Sequence, residues 1–263
     1  MRLDKTSHVE NIVAPPERVP RFSLLAGIGG IVVYLTSSIP FILVAGFIKI
    51  ASLQADSGTL SSEETSQALK DVVKNPFVLV GALVVQCTCL FLYVGAVSWI
   101  RGTGNPFRDI GFRFTRSSLF FVAGGAALQF VGLIIGIPLA LLKDNPAEQE
   151  IVSGVKSAQG WGFFLLMVMV AFVVPVAEEV CFRGLFMRGL AKKVAPTMAI
   201  LITGALFAVI HLGDPKAFLG LTTLFIFGLV ASALAMYRGR LDASICLHIG
   251  FNLTTVLFIL LTR

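Results

Sequence analysis

Trp161–Phe182 reads WGFFLLMVMVAFVVPVAEEVCF, an apolar run that carries no charge until two adjacent glutamates, Glu178 and Glu179, near its end. Crossing the hydrocarbon core of a bilayer as a helix takes about 20 mostly apolar residues, and this stretch has that length. It decides the fold class because it is not alone. Comparable runs occupy Phe22–Ile50, Phe77–Ile100, Ser118–Leu142, Pro196–Leu212, Ala217–Tyr237 and Leu241–Leu261. Of 263 residues, 56% are hydrophobic and only 14% charged, where a soluble domain carries about 25% charged residues. Mean hydropathy is +0.87. A water-soluble globule of this size has no interior large enough for so much apolar side chain. Disorder and a collagen-like fibre are excluded on the same grounds, and four cysteines are too sparse for a disulfide scaffold. The expectation is an all-α, polytopic membrane bundle of about seven transmembrane helices, with six to eight in range.

The first run contains Pro40 and reads as one kinked or tilted helix rather than two spans. Lys and Arg favour the cytoplasmic side of a membrane. With the N-terminus inside, the inner segments hold fourteen of them and the outer segments seven. That split predicts a multi-pass cell-membrane protein with a cytoplasmic N-terminus and an external C-terminus. The net charge of +6 then reports orientation, and no continuous basic face suggests nucleic acid as a partner. Three regions follow: a flexible cytoplasmic tail over 1–21, transmembrane helices 1–3 with their loops over 22–160, and a core of helices 4–7 over 161–263. Gln54–Asn75 is the one outer segment large enough for a small amphipathic helix.

Ionisable side chains cost about 2.5–3.5 kcal/mol each at mid-span on insertion scales, so those inside a span mark function. Here they crowd into the last hundred residues: Glu178, Glu179 and Arg183, then His211, then His248 with Asn252 one turn on and Asp242 before it. Glu179 and Arg183 are four apart, as are Phe207 and His211, and His248 and Asn252. Each pair therefore shares a helix face. Glu178 points about 100° away from Glu179. Counted from a turn near Val194, Glu178 lies 16 residues back and His211 17 forward, level in an antiparallel hairpin at roughly 24 Å from the turn. Levelness requires the turn after His211, at Asp214-Pro215, to be sunk into the membrane. Pro175 removes a helical bond to Ala171 and can kink the span beside the glutamates.

A carboxylate beside a neutral imidazole can hold a water and take its proton. An imidazole N–H and an Asn amide on a facing helix can stabilise a developing oxyanion. Together these parts describe amide hydrolysis by activated water, with Glu178, His211, His248 and Asn252 as catalytic candidates and Glu179, Arg183 and Phe207 supporting them. No cofactor is required. The alternative is a divalent metal such as zinc on Glu178, His211 and His248, although the chain has no H-E-x-x-H. Cys181 and the Cys87-x-Cys89 pair read as small apolar fillers. Outside enzymology, the same cluster would serve a non-catalytic membrane immunity or regulatory partner, or a proton-coupled transporter, the last disfavoured by the want of an inverted repeat.

Glu178-Glu179-Val-Cys-Phe-Arg183 is an E-E-x-x-x-R, Phe207-Ala-Val-Ile-His211 an F-x-x-x-H, and His248-Ile-Gly-Phe-Asn252 an H-x-x-x-N. In that order these motifs resemble the CAAX prenyl endopeptidase type II family, whose bacterial members are called CPBP or Abi intramembrane proteases. The resemblance covers about Trp161–Leu261 and implies an α-helical membrane fold and peptide-bond hydrolysis. It further implies that Glu178 activates water with help from His211, that His248 and Asn252 form the oxyanion site, and that Glu179 and Arg183 organise it. The implied partner is a membrane-associated peptide or protein substrate, with or without a lipid. The seven apparent spans depart from the eight of some relatives.

Overall fold

The computed structural model describes residues 22–141, 160–211 and 218–262, and all regular structure among them is helical. The N-terminal tail, the loop after Leu141 and the turn after His211 lie outside the described residues. The helices are α1 (Leu24–Thr36), α2 (Ile39–Ser57), α3 (Ser62–Lys74), α4 (Pro76–Arg101), the short α5 (Pro106–Asp109), α6 (Phe120–Leu141), α7 (Gly160–Leu190), α8 (Pro196–Val209), α9 (Phe218–Arg238) and α10 (Asp242–Thr262).

Among the described residues, five stretches are long and apolar enough to cross a membrane: Leu24–Ser57, Pro76–Arg101, α7, Leu221–Arg238 and α10. Helix α6 adds 22 mostly apolar residues. The first stretch is divided into two consecutive helices, α1 and α2. Its hydrogen-bond ladder is interrupted at Ser37–Ser38, and Pro40 sits in the first turn of α2, where its missing N–H costs nothing. Helix α8 departs from expectation. It has 14 residues, about 21 Å at 1.5 Å per residue, short of the roughly 30 Å hydrocarbon core. His211 lies just beyond its end.

Helix α7 corrects the sequence reading. The apolar run ends at Phe182 in the sequence, and Arg183 is one of the fourteen basic residues counted to the inner segments, yet the helix runs to Leu190 and Arg183 is fully buried. The physical reason is its partner: a guanidinium paired with Glu179 can stay in the interior where a lone cation could not. Removing Arg183 from the inner count leaves the basic bias intact. Every residue from Ala177 to Met187 is buried, so α7 is the central helix and the others pack around it.

Two close approaches set neighbouring helices. A Cβ on Gly250 of α10 would strike the Val122 carbonyl of α6, and one on Gly125 of α6 would strike the Leu247 carbonyl. Without side chains at these points the two backbones meet directly, which fixes α10 one residue from His248. At one end of the bundle, Leu241 N–H donates to the Gly111 carbonyl at 3.1 Å and Arg188 to the Gly239 carbonyl at 2.8 Å. Asp242 accepts from Ser118 at 2.6 Å and Thr115 at 3.0 Å. These contacts gather the three loops that the charge count assigns to one side of the membrane. They also give Asp242 an anchoring task apart from the polar cluster.

Candidate active site

Helix α7 owes its shape here to two π-helical segments, Met169–Val173 and Val180–Met187, on either side of the glutamate pair. Such bulges widen the helix and recur at functional sites. In the first, Val174 N–H reaches back five residues to the Met169 carbonyl. In that register the Val170 carbonyl would meet residue 175, a proline with no N–H to give. Asn252 supplies the missing donor, its Nδ2 lying 2.8 Å from the Val170 carbonyl. The orphaned carbonyl expected from the sequence was that of Ala171; the π register moves the loss to Val170. One amide hydrogen of Asn252 is thereby committed to α7.

Glu179 lies at the centre of a fully buried ion pair. Its Oε1 accepts from Arg183 Nη1 at 2.8 Å, and neither side chain is exposed. Arg183 also donates to Ser232 Oγ at 3.3 Å and the Gly228 carbonyl at 3.2 Å on α9. Its guanidinium lies 4.5 Å from the centre of the Phe207 ring, a cation–π contact. Phe207 thus supports the site by packing on Arg183 and, at 4.7 Å between ring centres, on His211.

His248 stands between the two glutamates. Nδ1 is 3.0 Å from Glu179 Oε1 and Nε2 is 3.5 Å from Glu178 Oε2. Sequence spacing pointed Glu178 and Glu179 at separate tasks, whereas the imidazole from α10 couples them. The Phe227 ring covers His248 at 4.6 Å between centres.

Glu178 faces the remaining groups. Its Oε1 is 3.8 Å from His211 Nε2 and accepts from the Tyr34 hydroxyl at 3.2 Å. His211 Nδ1 lies 2.6 Å from the Phe207 carbonyl. A carbonyl only accepts, so Nδ1 carries the hydrogen and, in the neutral ring, the lone pair sits on Nε2, facing Glu178. Burial falls off in one direction: the side chain of Glu178 is 9% exposed and that of His211 31%. The cluster opens on the His211 side.

Glu178, Glu179, Arg183, Phe207, His211 and His248 are therefore brought together, while Asn252 engages the wall of α7 behind them. Tyr34 was missed. Its signal in the sequence was a hydroxyl in an otherwise apolar span, which by itself names no partner. Among the described residues, no three His, Cys, Asp or Glu side chains are arranged to hold a metal ion. Cys87, Cys89, Cys181 and Cys246 are free thiols.

Against known families, residues 160–254 match the model described as Type II CAAX prenyl endopeptidase Rce1-like. No curated protein and no solved structure matches the chain.

Proposed function

Residues 160–254 belong to the type II CAAX prenyl endopeptidase Rce1-like family, a family of membrane proteases, and from that premise we propose that this chain hydrolyses a peptide bond of a membrane-associated substrate by water activated between Glu178 and His211. The observation that carries the reading is the 3.8 Å separation of Glu178 Oε1 and His211 Nε2. It is too long for a direct hydrogen bond and suits a bridging water. Two bonds of about 2.8 Å over that span meet at roughly 85° at the water. That is tight, yet compatible with one hydrogen to each acceptor.

Glu178 takes a proton as the water oxygen adds to the scissile carbonyl. The charge that forms on the carbonyl oxygen needs donors. Glu178 and Glu179 against Arg183 leave one net negative charge, so one imidazolium balances the cluster. His248 fits that role because both its ring nitrogens face carboxylates, and its Nε2–H is then the principal oxyanion donor. The second amide hydrogen of Asn252 is the auxiliary donor. When the intermediate collapses, the C–N bond breaks and Glu178 returns the proton to the leaving amine. Glu179, Arg183 and Phe207 hold His248 and His211 in place.

The mechanism uses no metal. A chelator that abolished activity, restored by zinc, would replace it with the alternative in which Glu178, His211 and His248 act as ligands. The substrate is a membrane peptide or protein, with or without a lipid, and the site is reached from the cytoplasmic side in a cell membrane, with the N-terminus inside and the C-terminus outside. The test is a comparison of membrane peptides from cells carrying wild-type, Glu178→Ala or His211→Ala protein at equal levels. Cleavage products vanish in both variants if the reading holds. Unchanged products with Glu178→Ala overturn it, and a cellular phenotype that survives both changes points to a non-catalytic immunity or regulatory partner. Proton-coupled uptake into vesicles would point to a transporter.

A further inference from the structure

We propose that Tyr34, on a helix outside the matched segment 160–254, is a positioning residue that holds the carboxylate of Glu178 in its working orientation. The proposal deepens the hydrolase reading and rests on it. Three observations converge. The Tyr34 hydroxyl donates to Glu178 Oε1 at 3.2 Å, the tyrosine side chain is buried with 3% of the residue exposed, and α1 is built to lie close to α7. A Cβ at Gly27 would meet the Phe186 backbone, so only a residue without a side chain lets the two helices touch there. From that contact, Tyr34 is seven residues along α1 and Glu178 eight residues back along α7. At 1.5 Å per residue these are about 10 and 12 Å, so antiparallel helices bring the two side chains level.

The chemistry needs such a contact. The terminal torsion of a glutamate has a broad, roughly two-fold profile, so packing of the stem alone does not fix the plane of the carboxylate. His248 faces Oε2 at 3.5 Å and His211 faces Oε1 at 3.8 Å, and neither distance is that of a firm hydrogen bond. The Tyr34 hydroxyl is the closer partner. It occupies one lone pair of Oε1 and leaves the other aimed at the space beside His211 Nε2. Without it the carboxylate can rotate away from the water it must deprotonate. The remaining neighbours cannot substitute, since Cys87 and Cys181 present thiols, which are weak donors, and Glu179 and Arg183 are engaged with each other.

Tyr34→Phe keeps the ring and removes only the hydroxyl. Two readouts on the full-length protein test the proposal. In infrared difference spectra, the band lost on Glu178→Gln identifies the Glu178 carboxyl; in Tyr34→Phe that band shifts, because its hydrogen-bond donor is gone. In membranes, Glu178-dependent cleavage products form about ten- to a hundredfold more slowly in Tyr34→Phe, the scale of a misplaced reacting group, at unchanged protein level and melting temperature. A band that stays put overturns the contact, and a moved band with an unchanged cleavage rate overturns the positioning role. Absence of any Glu178-dependent product in wild-type membranes overturns the hydrolase reading instead, and the infrared band still decides whether Tyr34 holds Glu178.

Discussion

Replacing Asn252 by alanine should destabilise the protein through a carbonyl on another helix. Asn252 Nδ2 donates at 2.8 Å to the Val170 carbonyl, which sits in a π segment whose register points it at Pro175. No backbone N–H exists there to replace the amide. Interhelical hydrogen bonds in membranes average about 0.6 kcal/mol because other partners are usually found, whereas a stranded buried acceptor costs about 1–3 kcal/mol. With the neighbouring donor excluded by the proline, we expect about 1–2 kcal/mol for Asn252→Ala. The proline makes the account testable by a double-mutant cycle. Pro175→Ala returns an N–H to position 175, so the Asn252→Ala penalty should shrink in that background, giving a coupling of about 0.5–1 kcal/mol. The assay is reversible unfolding in detergent of wild type, both single variants and the double variant. Additivity within about 0.3 kcal/mol, the behaviour of independent sites, would refute the reasoning.

Three further outcomes follow from the same contacts. Arg183→Met leaves the buried carboxylates of Glu178 and Glu179 with His248 alone between them and should cost about 3–5 kcal/mol; Arg183→Lys should not restore it, because a lysine cannot span Glu179, Ser232 and Gly228 together. Thermal unfolding in detergent checks both, and a wild-type midpoint for either variant contradicts the prediction. Gly250→Ala drives a methyl into the Val122 carbonyl and should cost about 1–3 kcal/mol by forcing α6 and α10 apart, read as a lowered melting temperature together with slower cleavage, since His248 is two residues away. Outside the spans, Glu64 accepts from Ser61 N at 2.8 Å and Ser61 Oγ at 2.7 Å, a capping box that starts α3. The backbone hydrogen bond first and the hydroxyl second hold its carboxyl below the usual carboxylate value. A depressed folded value means the cap's contribution is full above the ordinary glutamate range and fades as pH falls through the folded value. An NMR titration of Glu64 should therefore show a midpoint below that of a free glutamate, and Ser61→Ala, which removes the hydroxyl but keeps the backbone N–H, should move it only part of the way back.

The membrane fold and the polar cluster were legible in the sequence for one reason: charge is expensive in a bilayer, so its few occurrences are conspicuous. Glu178, Glu179, His211 and His248 stood out against apolar runs, and spacing by four anticipated the Glu179–Arg183 pair. What was hidden depended on the third dimension or on backbone register. Glu178 and Glu179 share His248 because α10 is pressed against α6 by facing glycines, a contact between distant segments. The π bulge moved the carbonyl orphaned by Pro175 from Ala171 to Val170, and periodicity read at 3.6 residues per turn cannot show a register change. That α7 continues past Phe182 to Leu190 and buries Arg183 completely depends on Ser232 and Gly228 of α9, which meet the guanidinium from a distant segment. Tyr34 carries no charge, and nothing near it in the chain hints that its hydroxyl reaches a glutamate on α7.

The central claim is that Glu178 and His211 together activate a water. It is met most directly by incubating purified wild-type and Glu178→Gln protein with a membrane peptide whose cleavage in cells depends on Glu178, in water enriched in oxygen-18, and weighing the products. Wild-type protein should release a new C-terminal carboxyl carrying one solvent oxygen from the first turnover, and the Glu178→Gln protein should release none. Cleavage by the Glu178→Gln protein at the wild-type rate would contradict the account.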